Sequence, residues 1–252
     1  MSISLFGTVY LVGAGPGAPD LLTLRAARIL AEADIVFHDA LVSGEILLLA
    51  SKAQKVAVGK RSGRHSTAQR FINKRLLDAA RVHEVVVRLK GGDPMVFGRA
   101  GEEIAFLERE GVPVEVVPGV TAALAASAEL RIAPTARGVA RSVTFVTPRV
   151  GKGERPSRWV QAVLSADTAA IYMAAGDLPR VAKALLDAKL APSTPVALLE
   201  NVSLPGARVR YTKLDALGSA TLGAPGLILL GEVYRKAAAQ IARGAFSAIH
   251  SA

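Results

Sequence analysis

Val9-Tyr-Leu-Val-Gly-Ala-Gly-Pro-Gly-Ala-Pro-Asp-Leu-Leu-Thr-Leu24 decides how the rest of the chain is read. Four apolar residues run straight into glycines at 13, 15 and 17, the pattern of a strand that ends in a tight turn before a helix. The string fits G-x-G-x-x-G/A with Ala18 as the third small residue, and Asp39 follows roughly 20 residues on, so a nicotinamide-dinucleotide loop is one reading. Pro16 and Pro19 oppose it, because that fingerprint aims backbone N–H groups at a pyrophosphate and proline has none. A plain strand-to-helix turn is the other reading.

Outward from this loop, apolar runs rich in β-branched residues alternate with amphipathic stretches. Val9–Val12, Ile35–Phe37, Lys55–Val58 and Val85–Leu89 read as strands, and Leu21–Ala33, Ser43–Ala50, Thr67–Arg81 and Gly101–Glu110 as helices. That order predicts an α/β domain with a largely parallel sheet. A short strand Val114–Val117 meets Pro118-Gly119, and a small-residue helix Thr121–Leu130 follows. The alternation then restarts, with strands near Ser142–Thr147, Ala169–Met173, Pro195–Leu199 and Leu227–Gly231, and helices near Asp177–Ala188 and Lys213–Leu217. Two α/β domains are expected, residues 1–119 and 120–240, with 241–252 as a tail. Pro148–Arg158 reads as a mobile basic loop inside the second domain, and Tyr234–Ala252 as a basic, alanine-rich end.

The bulk composition narrows the classes. Of 252 residues 51% are hydrophobic, yet no apolar run is long enough to span a membrane, so no membrane partner is expected. Met1-Ser-Ile-Ser-Leu-Phe-Gly-Thr8 has no basic start and runs into the glycine loop rather than a cleavage site, which argues against a signal peptide and for the cytoplasm. Cysteine is absent and the histidines at 38, 65, 83 and 250 lack ligand spacing, so no metal is expected. The net charge of +10 calls for an anionic partner: nucleic acid, an anionic surface, or a polycarboxylate or phosphate ligand. Charge does not choose among them, although 5% aromatics is sparse for stacking bases.

A second glycine loop says more. Val85–Leu89 ends in Lys90-Gly-Gly-Asp-Pro-Met-Val-Phe-Gly-Arg-Ala-Gly-Glu-Glu103, where paired glycines permit close backbone approach to a ligand and Asp93 offers an acceptor at the end of a strand. Ligands of open α/β sheets bind there. For Asp93 alone, capping the following turn is an equal reading.

With these strings in hand the chain resembles a known family. Gly13–Gly17, Val58-Gly-Lys-Arg61, Leu89-Lys-Gly-Gly-Asp-Pro-x-Val-Phe-Gly-Arg99, Val116-Val-Pro-Gly-Val-Thr121, Tyr172-Met173 and Glu200-Asn201 are similar, in order, to the motifs of the uroporphyrinogen-III C-methyltransferases. These are tetrapyrrole methylases that use S-adenosylmethionine and release S-adenosylhomocysteine. The likeness spans about residues 8–235. It implies two α/β domains of the tetrapyrrole methylase type with the active site in the cleft between them, and a homodimer. It also implies methylation of uroporphyrinogen III at C2 and C7, through precorrin-1 to precorrin-2, at the entry to sirohaem or cobalamin synthesis, with no nucleic acid involved. A dehydrogenase and a basic RNA methyltransferase are the rival classes.

Carried onto matching positions, the resemblance implies cofactor contacts at Pro16, Gly91, Gly92, Asp93, Val96, Thr121, Ala122, Met173, Val202 and Ala224. Asp39 and Lys60 stand where the family's proton acceptor and donor stand, although a strand-end cap is an equal reading for Asp39 from the residues alone. The substrate carries eight carboxylates, which gives the positive charge a purpose. Lys60, Arg61, Arg64, His65 and Arg99 lie beside the motifs, and Arg61, Arg64, His65 and Arg99 are the expected substrate contacts. Several positions depart from the family pattern: Ala18, Ala68-Gln-Arg-Phe-Ile-Asn73, Ile132-Ala-Pro-Thr-Ala-Arg137, Pro148-Arg149 and Val202. They bear on the substrate contacts expected of the second domain and on product binding, and not on the cofactor loops.

Overall fold

A computed structural model describes residues 6–58, 69–151, 155–240 and 247–248. The chain divides into two compact units, Met1–Thr121 and Ala122–Ala252, beside the division at 119/120 that the sequence led us to expect.

The first unit is built on a five-stranded parallel sheet. Its strands are β1 (Thr8–Gly13), β2 (Ile35–His38), β3 (Gln54–Ala57), β4 (Val85–Lys90) and β5 (Val114–Val117), in the order β3-β2-β4-β1-β5. Helices α1 (Leu24–Glu32), α2 (Gly44–Leu49), α3 (Gln69–Ala80) and α4 (Ala100–Arg109) connect them. The central strands are apolar along their length because both faces are covered. Alternate residues go to opposite layers: Val9, Leu11, Phe37 and Val86 pack with Leu76 and Leu107, while Val12, Val36, Val87 and Leu89 pack with Leu30 and Ile46.

The second unit differs from the alternation expected of it. Its sheet comprises β6 (Val143–Val146), β7 (Thr168–Tyr172), β8 (Pro195–Glu200), β9 (Arg208–Lys213), β10 (Gly226–Gly231) and β11 (Ser247–Ala248), in the order β11-β9-β8-β10-β7-β6. Among the described residues only β6 and β7 run parallel; every other pair is antiparallel. Helices α5 (Ala122–Leu130), α6 (Trp159–Leu164), α7 (Leu178–Asp187), α8 (Leu214–Leu217) and α9 (Arg235–Gln240) accompany it. The sequence reading misses β9, whose Arg-Val-Arg-Tyr-Thr-Lys alternation buries only Val209 and Tyr211 and so carries a weak apolar signal. It also misses the six-residue α6 and leaves Ser247-Ala248 in a tail, whereas these two residues pair with β9.

Glycines let backbone meet backbone at the carboxyl end of the first sheet. A Cβ on Gly119 would lie 2.4 Å from the Gly92 carbonyl oxygen, and one on Gly13 would lie 2.6 Å from the Gly119 nitrogen. Gly119→Ala is therefore expected to cost at least about 1–3 kcal/mol of stability through overpacking. Gly44→Ala, with open space around its Cβ in the first turn of α2, should leave the thermal midpoint unchanged or raised. Thermal denaturation of the two variants beside the parent checks both.

Candidate active site

The opening loop does not do what a dinucleotide fingerprint does. Gly15, at φ +68°, donates its N–H to the Gly92 carbonyl at 3.1 Å and accepts from the Gly92 N–H at 2.7 Å, so its one backbone donor is not left for a pyrophosphate. The loop also enters a 3-10 turn, Pro19–Leu21, and α1 begins only at Leu24, where the Thr23 hydroxyl accepts from the Ala26 N–H at 3.1 Å. The helix N-terminus that would hold the phosphates is thus displaced along the chain and capped. The glycines serve instead to lock the first loop onto the second.

Asp93 completes the lock. One carboxylate oxygen accepts from the Met95 N–H at 2.8 Å and the other from the Gly119 N–H at 3.0 Å, so its side chain joins the loop after β4 to the loop after β5. The parallel sheet brings Pro16, Asp39, Gly91, Gly92, Asp93, Val96 and Thr121 to one end, as the loops that follow β1, β2, β4 and β5. Gly91 is exposed, and a Cβ on Gly92 would meet nothing nearer than the Thr121 Cα at 3.9 Å. Bare backbone therefore faces open room, which suits a ligand held by main-chain groups.

Asp39 follows directly on β2 and is anchored from beneath. The guanidinium of Arg88, 3% exposed, donates to Asp39 Oδ1 at 2.5 Å, to Glu103 Oε1 at 3.2 Å and to the carbonyls of Leu89 and Phe37 at 3.1 and 3.5 Å. Glu103 is wholly buried; its Oε1 also accepts from Gln69 at 2.9 Å and its Oε2 from Lys90 Nζ at 2.8 Å. Two cations and two anions thus balance under the strand ends. Burial pulls the Lys90 ammonium below its usual range, and the Arg88 charge beside it pulls in the same direction, opposed by Glu103 and Asp39. Arg88 holds Asp39 through one oxygen, while Oδ2 has no protein partner among the described residues. A carboxylate oriented in this way can take a proton from a ligand above it.

The second unit gathers its own set. In the antiparallel register Leu227 pairs with Tyr172 and Gly226 with Glu200, so Met173 after β7, Val202 after β8 and Ala224 before β10 emerge at the same end of the sheet. Ala122 joins them, because the Tyr172 hydroxyl accepts from the Ala123 N–H at 3.1 Å at the start of α5. Met173, Asn201 and Ser203 all take left-handed backbone, at φ +57°, +54° and +58°. Non-glycine residues held there mark positions that the surrounding structure over-determines, often at ligand sites. Glu129 of α5 accepts the Ser203 N–H and leaves its buried Oε2 without a partner, and burial raises its carboxyl above the ordinary 4.5.

The sequence profile described as Tetrapyrrole (Corrin/Porphyrin) Methylases matches residues 8–218. The chain belongs to the tetrapyrrole methylases. It is 43% identical to the uroporphyrinogen-III C-methyltransferase of Pseudomonas aeruginosa, a match over 93% of this chain and 97% of that protein. It is 45% identical to a siroheme synthase of Psychrobacter sp. (strain PRwf-1) over 90% of this chain, and it spans 48% of that protein, about half the length of the siroheme synthases it matches. Among solved structures it is similar to the Thermus thermophilus uroporphyrin-III C-methyl transferase complexed with S-adenyl homocysteine. That match has a TM-score of 0.82 and 44% identity, and covers 91% of this chain and all of that one.

Within this tetrapyrrole methylase the remaining expected residues divide. Lys60, Arg61, Arg64 and His65 lie outside the described residues. Arg99, itself left-handed at φ +57° as it caps α4, has its fork on Glu102, with Nε to Oε1 at 2.6 Å and Nη2 to Oε2 at 2.7 Å. That pairing draws the Glu102 carboxyl below its ordinary value. The sequence reading does not single out Arg88 or Glu103, although Arg88 and Lys90, two residues apart on an apolar strand, share one face and signal a buried partner.

Two outcomes follow from this chemistry. Glu103→Ala leaves two buried cations with one anion and should lower the unfolding free energy by about 3–5 kcal/mol in urea denaturation. Glu129 is held with its protonation range raised, so its stabilising contribution is complete below pH 4.5 and disappears as pH rises through the folded-state value. Glu129→Gln should therefore be more stable than the parent at pH 7, and the gain should vanish below pH 4.5. Urea midpoints across that pH range test the sign.

Proposed function

We propose that the protein is an S-adenosylmethionine-dependent C-methyltransferase that converts uroporphyrinogen III through precorrin-1 to precorrin-2. The observation that carries the reading is the end-to-end match to the Pseudomonas aeruginosa methyltransferase, together with a first loop whose Gly15 backbone is already spent on Gly92. The latter takes up one of the backbone donors that a nicotinamide enzyme would aim at a pyrophosphate. Gly91, Gly92, Thr121, Ala122 and Met173 would hold the cofactor chiefly through backbone and an apolar wall, with Pro16, Asp93, Val96, Val202 and Ala224 shaping the loops around it. When bound, S-adenosylmethionine supplies an electrophilic methyl group.

The chain's own contribution is placement and proton handling. A pyrrole carbon is already nucleophilic, so most of the acceleration comes from holding it in line with the methyl group. Asp39, held through Oδ1 by Arg88, then accepts the proton that the alkylated ring must lose. Lys60 is proposed as the proton donor, and Arg61, Arg64, His65 and Arg99 as partners of the substrate carboxylates. A homodimer in the cytoplasm, serving sirohaem or cobalamin synthesis, completes the proposal.

Calorimetry tests the cofactor: S-adenosylhomocysteine should bind in the micromolar range and NAD should show no heat, and the reverse would overturn the reading. Gly92→Ala should abolish cofactor binding while costing only about 1 kcal/mol of stability, because its φ of +70° strains alanine and its Cβ enters ligand space rather than core. Asp39→Asn should retain cofactor affinity and lower turnover on the order of 10²-fold. Full activity in that variant would assign Asp39 a structural role.

A further inference from the structure

The positive charge is not spread evenly. Residues 122–252 carry 16 Lys+Arg against 8 Asp+Glu, so +8 of the chain's +10 lies in the second unit. Residues 131–158 hold seven of those cations and a single acid, Glu154. The cations named individually from the sequence as substrate contacts, Arg61, Arg64 and Arg99, lie in the first unit, which is close to neutral overall. No cation of the second unit is among the residues so named.

Topology brings part of it to the ligand end of the second sheet. β6 and β7 run parallel with Val146 opposite Ile171, so Pro148 and Arg149 leave the sheet at the end where Met173 follows β7. The segment is pinned there: the Arg149 N–H bonds the Thr147 hydroxyl at 3.2 Å, and the Arg180 guanidinium donates to the Pro148 carbonyl at 3.3 Å. Arg155 leads into Arg158, which caps the start of α6, and α6, as the connection between parallel β6 and β7, packs back along β6 from that same end. Arg149, Arg155 and Arg158 are all exposed and make no ion pair among the described residues. Of the acids the topology brings to this end, Asp177 is held by Arg180 at 2.6 Å and Glu200 by Arg208 at 2.6 Å, while Glu129 is partly buried. An unneutralised cationic rim thus stands beside Met173.

We infer that Arg149, Arg155 and Arg158 form a second-unit docking rim for the carboxylate arms of the tetrapyrrole substrate. The inference rests on the proposed function for the identity of that substrate. Charge complementarity selects the occupant: three exposed arginines outside any ion pair among the described residues suit a ligand that carries carboxylates around its whole periphery. Cofactor binding, which uses backbone and Met173, does not need them.

Fluorescence titration of the S-adenosylhomocysteine-loaded protein with uroporphyrin III, the stable oxidised octacarboxylate, tests this. R149A/R155A/R158A should weaken uroporphyrin binding about tenfold or more and flatten its dependence on salt, with S-adenosylhomocysteine affinity unchanged. A control with the same loss of charge elsewhere, R25A/R28A/K52A, should bind like the parent. Coproporphyrin, with half the carboxylates, should lose less from the triple substitution. Equal binding by the triple variant and the parent, or an equal loss in the control, overturns the rim while leaving the methyltransferase reading intact. A parent protein that ignores uroporphyrin, or prefers a short RNA, overturns both.

Discussion

Three backbone segments that touch without side chains govern the first unit. Gly13, Gly92 and Gly119 approach so closely that a methyl group on the first or third would fall inside another residue's main chain. Gly15 and Gly92 then exchange two hydrogen bonds, and Asp93 ties the Gly119 N–H to the same point. This contact converts the loose ends of β1, β4 and β5 into one platform. Every candidate cofactor residue of the first unit is placed by it, and the same hydrogen bonds that build the platform deny the opening loop the role its glycine spacing imitates.

Beneath the platform lies a compensated set of charges. A parallel strand covered on both faces is a costly place for Arg88 and Lys90, and Glu103 with Asp39 makes it tolerable by matching charge and filling the donors. The arrangement has a functional corollary. Asp39 is the one member with a substantial exposed face, so the rigidity gained from three buried groups is delivered to the carboxylate that faces the ligand end. The link from sequence to the proposed chemistry passes through that burial: the strand fixes Arg88, Arg88 fixes Asp39, and a carboxylate fixed in this way suits the proposed role of proton acceptor.

The first unit was legible in sequence because its strands are continuous apolar runs and its loops carry glycines in fixed strings. Periodicity placed β1, β2, β4 and β5 within a residue or two. The second unit was harder to read for a physical reason: strand direction leaves no local mark, so the antiparallel pairs of β8, β9 and β10 resemble parallel ones residue by residue. Val202 and Ala224 come together only through that register. Family resemblance could name them, whereas spacing could not. The Arg88–Glu103 pair was hidden because each residue alone reads as an ordinary charge, and only the fold shows them on facing elements, β4 and α4.

Methyl transfer to uroporphyrinogen III is the reaction proposed for the chain, and the transfer itself is the sharpest test. Purified protein incubated anaerobically with uroporphyrinogen III and methyl-labelled S-adenosylmethionine should yield a tetrapyrrole that carries two labelled methyl groups, with S-adenosylhomocysteine released in matching amount. Mass spectrometry of the extracted pigment reads both. Absence of label in the tetrapyrrole, in a protein that still binds S-adenosylhomocysteine, would contradict the assignment of uroporphyrinogen III as substrate.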